Sequence, residues 1–112
     1  MKSKPNYHDI FCQRLKQARL AKGLSQKQLG IEAGIDEFVA SPRINRYERG
    51  VHEANTETIQ LLADVLGVPL AYFYTADNEL AELILAFQAL SSEDKPEILA
   101  LVKSRAERPR QA

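Results

Sequence analysis

Three arginines stand three residues apart in "ASPRINRYERG": Arg43, Arg46 and Arg49, with Ile44 and Tyr47 between them. A guanidinium carries five N–H donors in a fixed fork and no acceptor. It can grip a guanine edge, pair with a phosphate, or stay hydrated on a helix surface. At 100° per residue the three fall on a stripe opposite Ile44, which leaves Ile44 and Tyr47 to face a core. The stripe is therefore either a reading surface or a solvated face. Other chemistry has less to work with. Two isolated histidines and one cysteine supply no nucleophile–base pair, and there is no carboxylate dyad or glycine-rich phosphate loop. His52 lacks companions at ligand spacing, so neither a metal nor another cofactor is expected. Cys12 reads as a small core residue. An enzyme is not expected.

The elements that must hold these arginines are helical. The 112 residues suit one compact domain with a small appendage. Apolar and charged fractions of 45% and 27% are ordinary, which points to a globular, soluble chain. Apolar runs are too short to span a bilayer, and "MKSKPNY" is not followed by a signal-peptide h-region. A single cysteine fits a reducing cytoplasm, the expected location. The zero net charge hides an asymmetry. Residues 1–50 carry ten Lys/Arg against five Asp/Glu, while residues 76–102 carry one against six. A basic half can meet a polyanion while an acidic half stays off it.

Apolar spacing at Ile10, Phe11, Leu15, Ala18 and Leu20 predicts a first helix, capped by Asp9 and ended by Gly23. Ser25 reads as the cap of a second helix through Ala33, closed by Gly34. Gly30 inside it costs about 1 kcal/mol relative to alanine and points to close helix–helix approach. Ser41-Pro42 reads as cap and first residue of a third helix, ending at Gly50. The alternative makes residues 35–40 an early turn of that helix, with Pro42 inside it. Asn55 or Thr56 caps a fourth helix with Ile59, Leu62, Ala63 and Leu66 inward, and Pro69 opens a short fifth with Leu70 and Phe73 as core candidates. No strand alternation is visible. Residues 76–107 then predict two further amphipathic helices, the second capped by Ser91 or Ser92. Residues 1–8 are left as a flexible arm and 108–112 as a disordered tail.

"GLSQKQLGIEAGI" followed by "INRYERG" and "NTETIQLLADVLGVPLAYFY" resembles the Cro/repressor-like, or XRE, helix-turn-helix family over about residues 10–74. The version "IDEFVASPRINRYERGVH" looks closest to prophage-type regulators and to controller proteins of restriction–modification systems. The stretch from Gly34 to Ile44 is longer than the family's commonest spacing. The resemblance implies an all-α, five-helix, lambda-repressor-like DNA-binding domain over residues 9–75, whose third helix enters the major groove.

It implies base reading by Ser41, Arg43, Asn45 and Arg46, with Arg46 on a guanine, Asn45 on an adenine and Ala40 against a thymine methyl. Gln26 matches a phosphate-contacting position at the start of the second helix, with Lys27 beside it; Ser25 either helps there or only caps. Arg49, His52 and Asn55 are further phosphate candidates. Arg19 and Glu48 match an ion pair that orients the third helix, with a phosphate contact by Arg19 as a second role.

A lone half-site gives little affinity, and the family dimerises so that two recognition helices lie about 34 Å apart. Leu83, Ile84, Phe87, Leu99 and Val102 are the expected dimer contacts. The alternative folds both terminal helices back on their own domain. The expected function is a homodimeric regulator of transcription, in the main a repressor, that occupies a palindromic operator in double-stranded DNA and can also meet RNA polymerase. The competing reading is an antitoxin, which would bind a toxin as well as its operator.

Overall fold

The computed structural model describes residues 6–109, and over these the chain is helical with no strand. Seven helices follow in order: α1 Tyr7–Lys22, α2 Gln26–Glu32, α3 Ala40–Arg49, α4 Thr56–Leu66, α5 Leu70–Phe73, α6 Asn78–Gln88 and α7 Asp94–Ala106.

The punctuation follows cap chemistry, with three shifts from expectation. The Asn6 side chain, not Asp9, caps α1 by accepting from the backbone N–H of His8 and Asp9. Asp9 sits in the first turn, where its charge suits the positive end of the helix. Tyr7 and His8 are therefore helical, not part of an arm; residues 1–5, and residues 110–112 of the expected tail, lie outside the described residues. Second, α3 begins at Ala40 with Val39 at its cap and no side-chain cap bond, so Ser41 does not cap it. Pro42 falls in the first turn, where its missing N–H would have had no helical acceptor. Third, Leu70 and Leu20 are exposed, and Tyr72 is buried in the core beside Phe73. Elsewhere Ser25 and Gln28 form a reciprocal capping box on α2, and Asn55 caps α4. Ser91 Oγ accepts from Asp94 N at the start of α7. Gly23, Gly50 and Gly67 close their helices in the left-handed conformation, and Gly34 makes the α2–α3 turn at φ 91°.

The core lies inside α1–α5, with Ala81 of α6 at its edge. Phe73, Leu15, Leu29, Ile44 and Leu62 are its largest fully buried side chains. Phe11 meets Phe73 edge-on at 5.1 Å, fixing α5 across α1. The α2–α3 contact is the tightest: a Cβ on Gly30 would lie 2.7 Å from the Ala40 Cβ. That is the close approach that Gly30 permits.

Beyond residue 75 the packing changes. Ala81 is the one buried residue of α6, and α7 has none. The radius of gyration is 16.8 Å, against roughly 13 Å for a compact chain of about this size. The two terminal helices extend from the body instead of thickening it.

Candidate nucleic-acid interface

Five arginines in the first fifty residues divide into two kinds. Arg14 and Arg19 are buried, and both are fully engaged. Arg43, Arg46 and Arg49 are exposed on α3, and their guanidinium groups make no hydrogen bond or ion pair with any other described residue. Ile44 and Tyr47, on the inward side of the same helix, are buried. The face that carries the three guanidiniums is thus held outward by the face that carries the core contacts.

The helix is oriented by a polar cluster joining α1, α2 and α3. Arg19 Nε donates to Glu48 Oε2 at 2.6 Å and Arg19 Nη2 donates to Glu48 Oε1 at 3.1 Å. Arg19 Nη1 donates to the carbonyl of Leu24, which closes the α1–α2 turn. Gln26 Nε2 donates to Glu48 Oε1 at 3.2 Å. The bidentate fork is the geometry that an Arg–carboxylate pair favours. With Arg19 8% exposed, its guanidinium is spent on the protein, so the phosphate contact expected of it has no surface to work from. Gln26 is half-buried and tied to Glu48, while Lys27 beside it is exposed.

The other expected readers sort by exposure. Ser41 and Asn45 are partly exposed, His52 and Asn55 exposed. Asn55 already caps α4 through its side-chain oxygen at 2.8 Å. Ala40 is different. It is 0% exposed and packed on Gly30, so it cannot touch a thymine methyl. The expectation failed because Ala40 is the residue that seats α3 on α2.

Two contributors escaped the sequence reading. His8 Nε2 donates to the carbonyl of Gly50 at 3.0 Å, and its other ring nitrogen faces Glu53 at 3.8 Å. This pins the end of α3 to the start of α1. Arg14 reaches across to the segment before α6, donating to the carbonyls of Thr75 and Ala76 and to Asn78 Oδ1. It also lies 5.7 Å from the Tyr72 ring centroid. Periodicity held the signal for Arg14: it sits between Phe11, Leu15 and Ala18 on the inward stripe of α1. Cys12 is buried, and burial, reinforced by the nearby Asp9 charge, pushes its thiol pKa up and keeps the sulfur protonated. No group of three or more metal-ligating side chains occurs among the described residues. Nor is any described helix long and apolar enough to cross a membrane.

The helix-turn-helix family matches residues 15–73, which takes in α2, α3 and the cluster that orients them. The chain belongs to the helix-turn-helix family. Two curated relatives, from Sinorhizobium medicae (strain WSM419) and Rhizobium meliloti (strain 1021), are described as uncharacterised HTH-type transcriptional regulators. Each is 32% identical over 74 residues, covering 65% of this chain and 50% of the relative. The chain thus spans about half the length of the curated relatives it matches. A solved structure of the transcriptional regulator BswR is 49% identical with a TM-score of 0.80, covering 83% of this chain and 92% of that one. The likeness extends past the helix-turn-helix unit, since 83% of this chain exceeds the span of residues 15–73. This helix-turn-helix protein therefore has the all-α architecture expected of it: five helices of the repressor-like domain, then two more.

Proposed function

We propose that this helix-turn-helix protein binds double-stranded DNA sequence-specifically as a homodimer and regulates transcription, chiefly by repression through promoter occupancy. The observation that carries the DNA reading is the unpaired, outward arginine face of α3 beside two arginines that are buried and satisfied. A helix surface that merely needed solubility would not require its companions to be fixed by a bidentate ion pair and a helix-end clamp. Arg46 takes a guanine in the major groove, with Arg43, Asn45 and Ser41 on neighbouring base edges. Lys27 and Gln26 at the start of α2, with Arg49, His52 and Asn55, meet the phosphates.

Dimerisation rests on the terminal helices. Pro69, Leu80, Leu83, Phe87, Leu99 and Val102 are among the residues that line an open apolar groove of about 540 Å³ between α5, α6 and α7. Leu83, Leu99 and Val102 stay about half exposed in the single chain, and Ile84 and Phe87 are partly so. A second copy that covers this groove places two α3 helices on successive turns of one DNA face, about 34 Å apart. Binding to such a palindrome blocks polymerase at that position.

Selection from a random duplex pool at near-physiological salt tests the reading, with an Arg46→Ala variant run in parallel. The expected result is a palindromic motif, relaxed at one position per half-site in the variant, with a loss of about 1–3 kcal/mol per half-site. Weak, sequence-blind binding that fades with modest salt would reduce the arginines to an electrostatic surface. A partner protein, such as a toxin, would then be the better occupant of the α6–α7 groove.

A further inference from the structure

Phe38 is the most exposed large apolar side chain described, at 85%. It sits in the connection between α2 and α3, immediately ahead of the end of α3 that enters DNA in this class of motif. Nothing about the backbone there is loose. Phe38 N donates to Asp36 Oδ1 at 2.9 Å, and Val39 N donates to the Asp36 carbonyl at 3.0 Å. Upstream, Ile35 N donates to the Gly30 carbonyl, and Ile35 packs against the core. Downstream, Ala40 is locked on Gly30. The turn is therefore anchored at both ends and hydrogen-bonded within. It holds a phenyl ring in water beside the candidate reading helix, with Val39 also exposed next to it.

We infer that Phe38, with Val39, reads the C5-methyl groups of thymine in the major groove, at a position flanking those read by the α3 arginines; this rests on the DNA-binding reading above. Three observations favour it over other occupants. The ring lies at the amino-terminal end of α3, and that end lies over base edges. Its neighbours Asp36 and Glu37 are carboxylates, which phosphates repel, and Asp36 is folded back onto the Phe38 N–H, so the turn offers the ring and not a backbone-phosphate contact. Among base-edge groups the thymine methyl is the apolar one, and it is the natural partner of a phenyl ring that has no hydrogen-bonding atom. The methyl contact expected of Ala40 thus falls to the residue two positions earlier, because Ala40 is needed inside.

Replacing thymine by uracil removes that methyl group and nothing else. The probe is the duplex selected by the wild-type chain, with uracil placed at each thymine in turn, titrated against wild type, Phe38→Ala and Phe38→Leu. Uracil at one thymine per half-site is expected to weaken the wild type about fourfold per methyl contact. Phe38→Ala should lose at least that much on the thymine duplex and be indifferent to uracil there, while Phe38→Leu keeps part of the sensitivity. Equal uracil sensitivity in wild type and Phe38→Ala would overturn the proposal. So would a selected half-site with no thymine flanking the arginine-read positions. A Phe38→Ala chain that binds DNA normally but changes mass in light scattering would place Phe38 in a protein interface instead. If the wild type selects no duplex at all, the DNA reading itself fails, a result distinct from all of these.

Discussion

Helices α1–α5 and helices α6–α7 treat their polar and apolar atoms in opposite ways. In the first group a fully buried apolar core closes on itself, although Leu20, Ile31 and Leu61 stay outside it, and the two buried arginines each find acceptors; no buried side-chain nitrogen or oxygen there lacks a partner. In the second group Leu80, Leu83, Leu99, Leu101 and Val102 remain about half exposed, and only Ala81 is buried. Yet α6 and α7 are no less apolar in sequence. The difference is one of surface left over: a short amphipathic helix stabilises a fold only by burying its apolar face against something. The first group supplies that partner internally, whereas the second holds its face open around the α5–α7 groove. Substitutions should therefore act through folding in one region and through association in the other.

The largest expected effect tests the closed region. Glu48→Ala leaves the Arg19 guanidinium buried without its carboxylate, and Gln26 without an acceptor. Removing one partner of a buried pair costs about 3–5 kcal/mol. Urea unfolding at neutral pH should show that loss at every protein concentration. A loss below about 1 kcal/mol would class the pair with surface ion pairs, and the closed picture of α1–α3 would break.

A smaller effect is expected where the two regions meet. Arg14→Ala removes the charged donor that ties Thr75, Ala76 and Asn78 to α1. Hydrogen bonds from a charged donor are worth about 1.5–3 kcal/mol, toward the low end where the acceptors stay in reach of water. Hydrogen exchange should accelerate first in residues 75–80 and in α6, with α1–α4 still protected. Uniform acceleration across the chain would mean that Arg14 belongs to the core alone and that α6 is attached by other means.

How much of this was legible depended on range. Local chemistry read true at the glycines after α1, α3 and α4 and at the Ser25 cap, and the apolar stripes held apart from Leu20 and Leu70. The Arg19–Glu48 pair spans twenty-nine positions and was reachable only through the family resemblance. The start of α3 was misjudged because Ser-Pro is a good local start signal. The contact that overrode it, Gly30 on Ala40, joins two helices. Arg14 was missed because a charge on an apolar stripe reads as noise until its acceptors, some sixty residues away, are brought to it. Phe38 carries no signal of its own in sequence, since exposure is a property of the folded turn and not of the residue.

The smallest expected change in folding is the sharpest test of the open region. Leu99 is 50% exposed in the single chain and lines the groove. An exposed substitution away from special features shifts stability by no more than about 0.5 kcal/mol. Leu99→Asp should therefore leave the unfolding free energy extrapolated to low protein concentration nearly unchanged. At micromolar concentration the same variant should lose the mass of a dimer in light scattering, because a carboxylate in an apolar interface is left without a partner. Its affinity for a full palindrome should fall toward that for a single half-site, while the base preferences within the half-site persist, because α3 and the Arg19–Glu48 pair are untouched. Should Leu99→Asp instead unfold the chain by 2 kcal/mol or more regardless of concentration, α7 packs on its own domain. The contrast between a closed body and an open pair of helices would then dissolve.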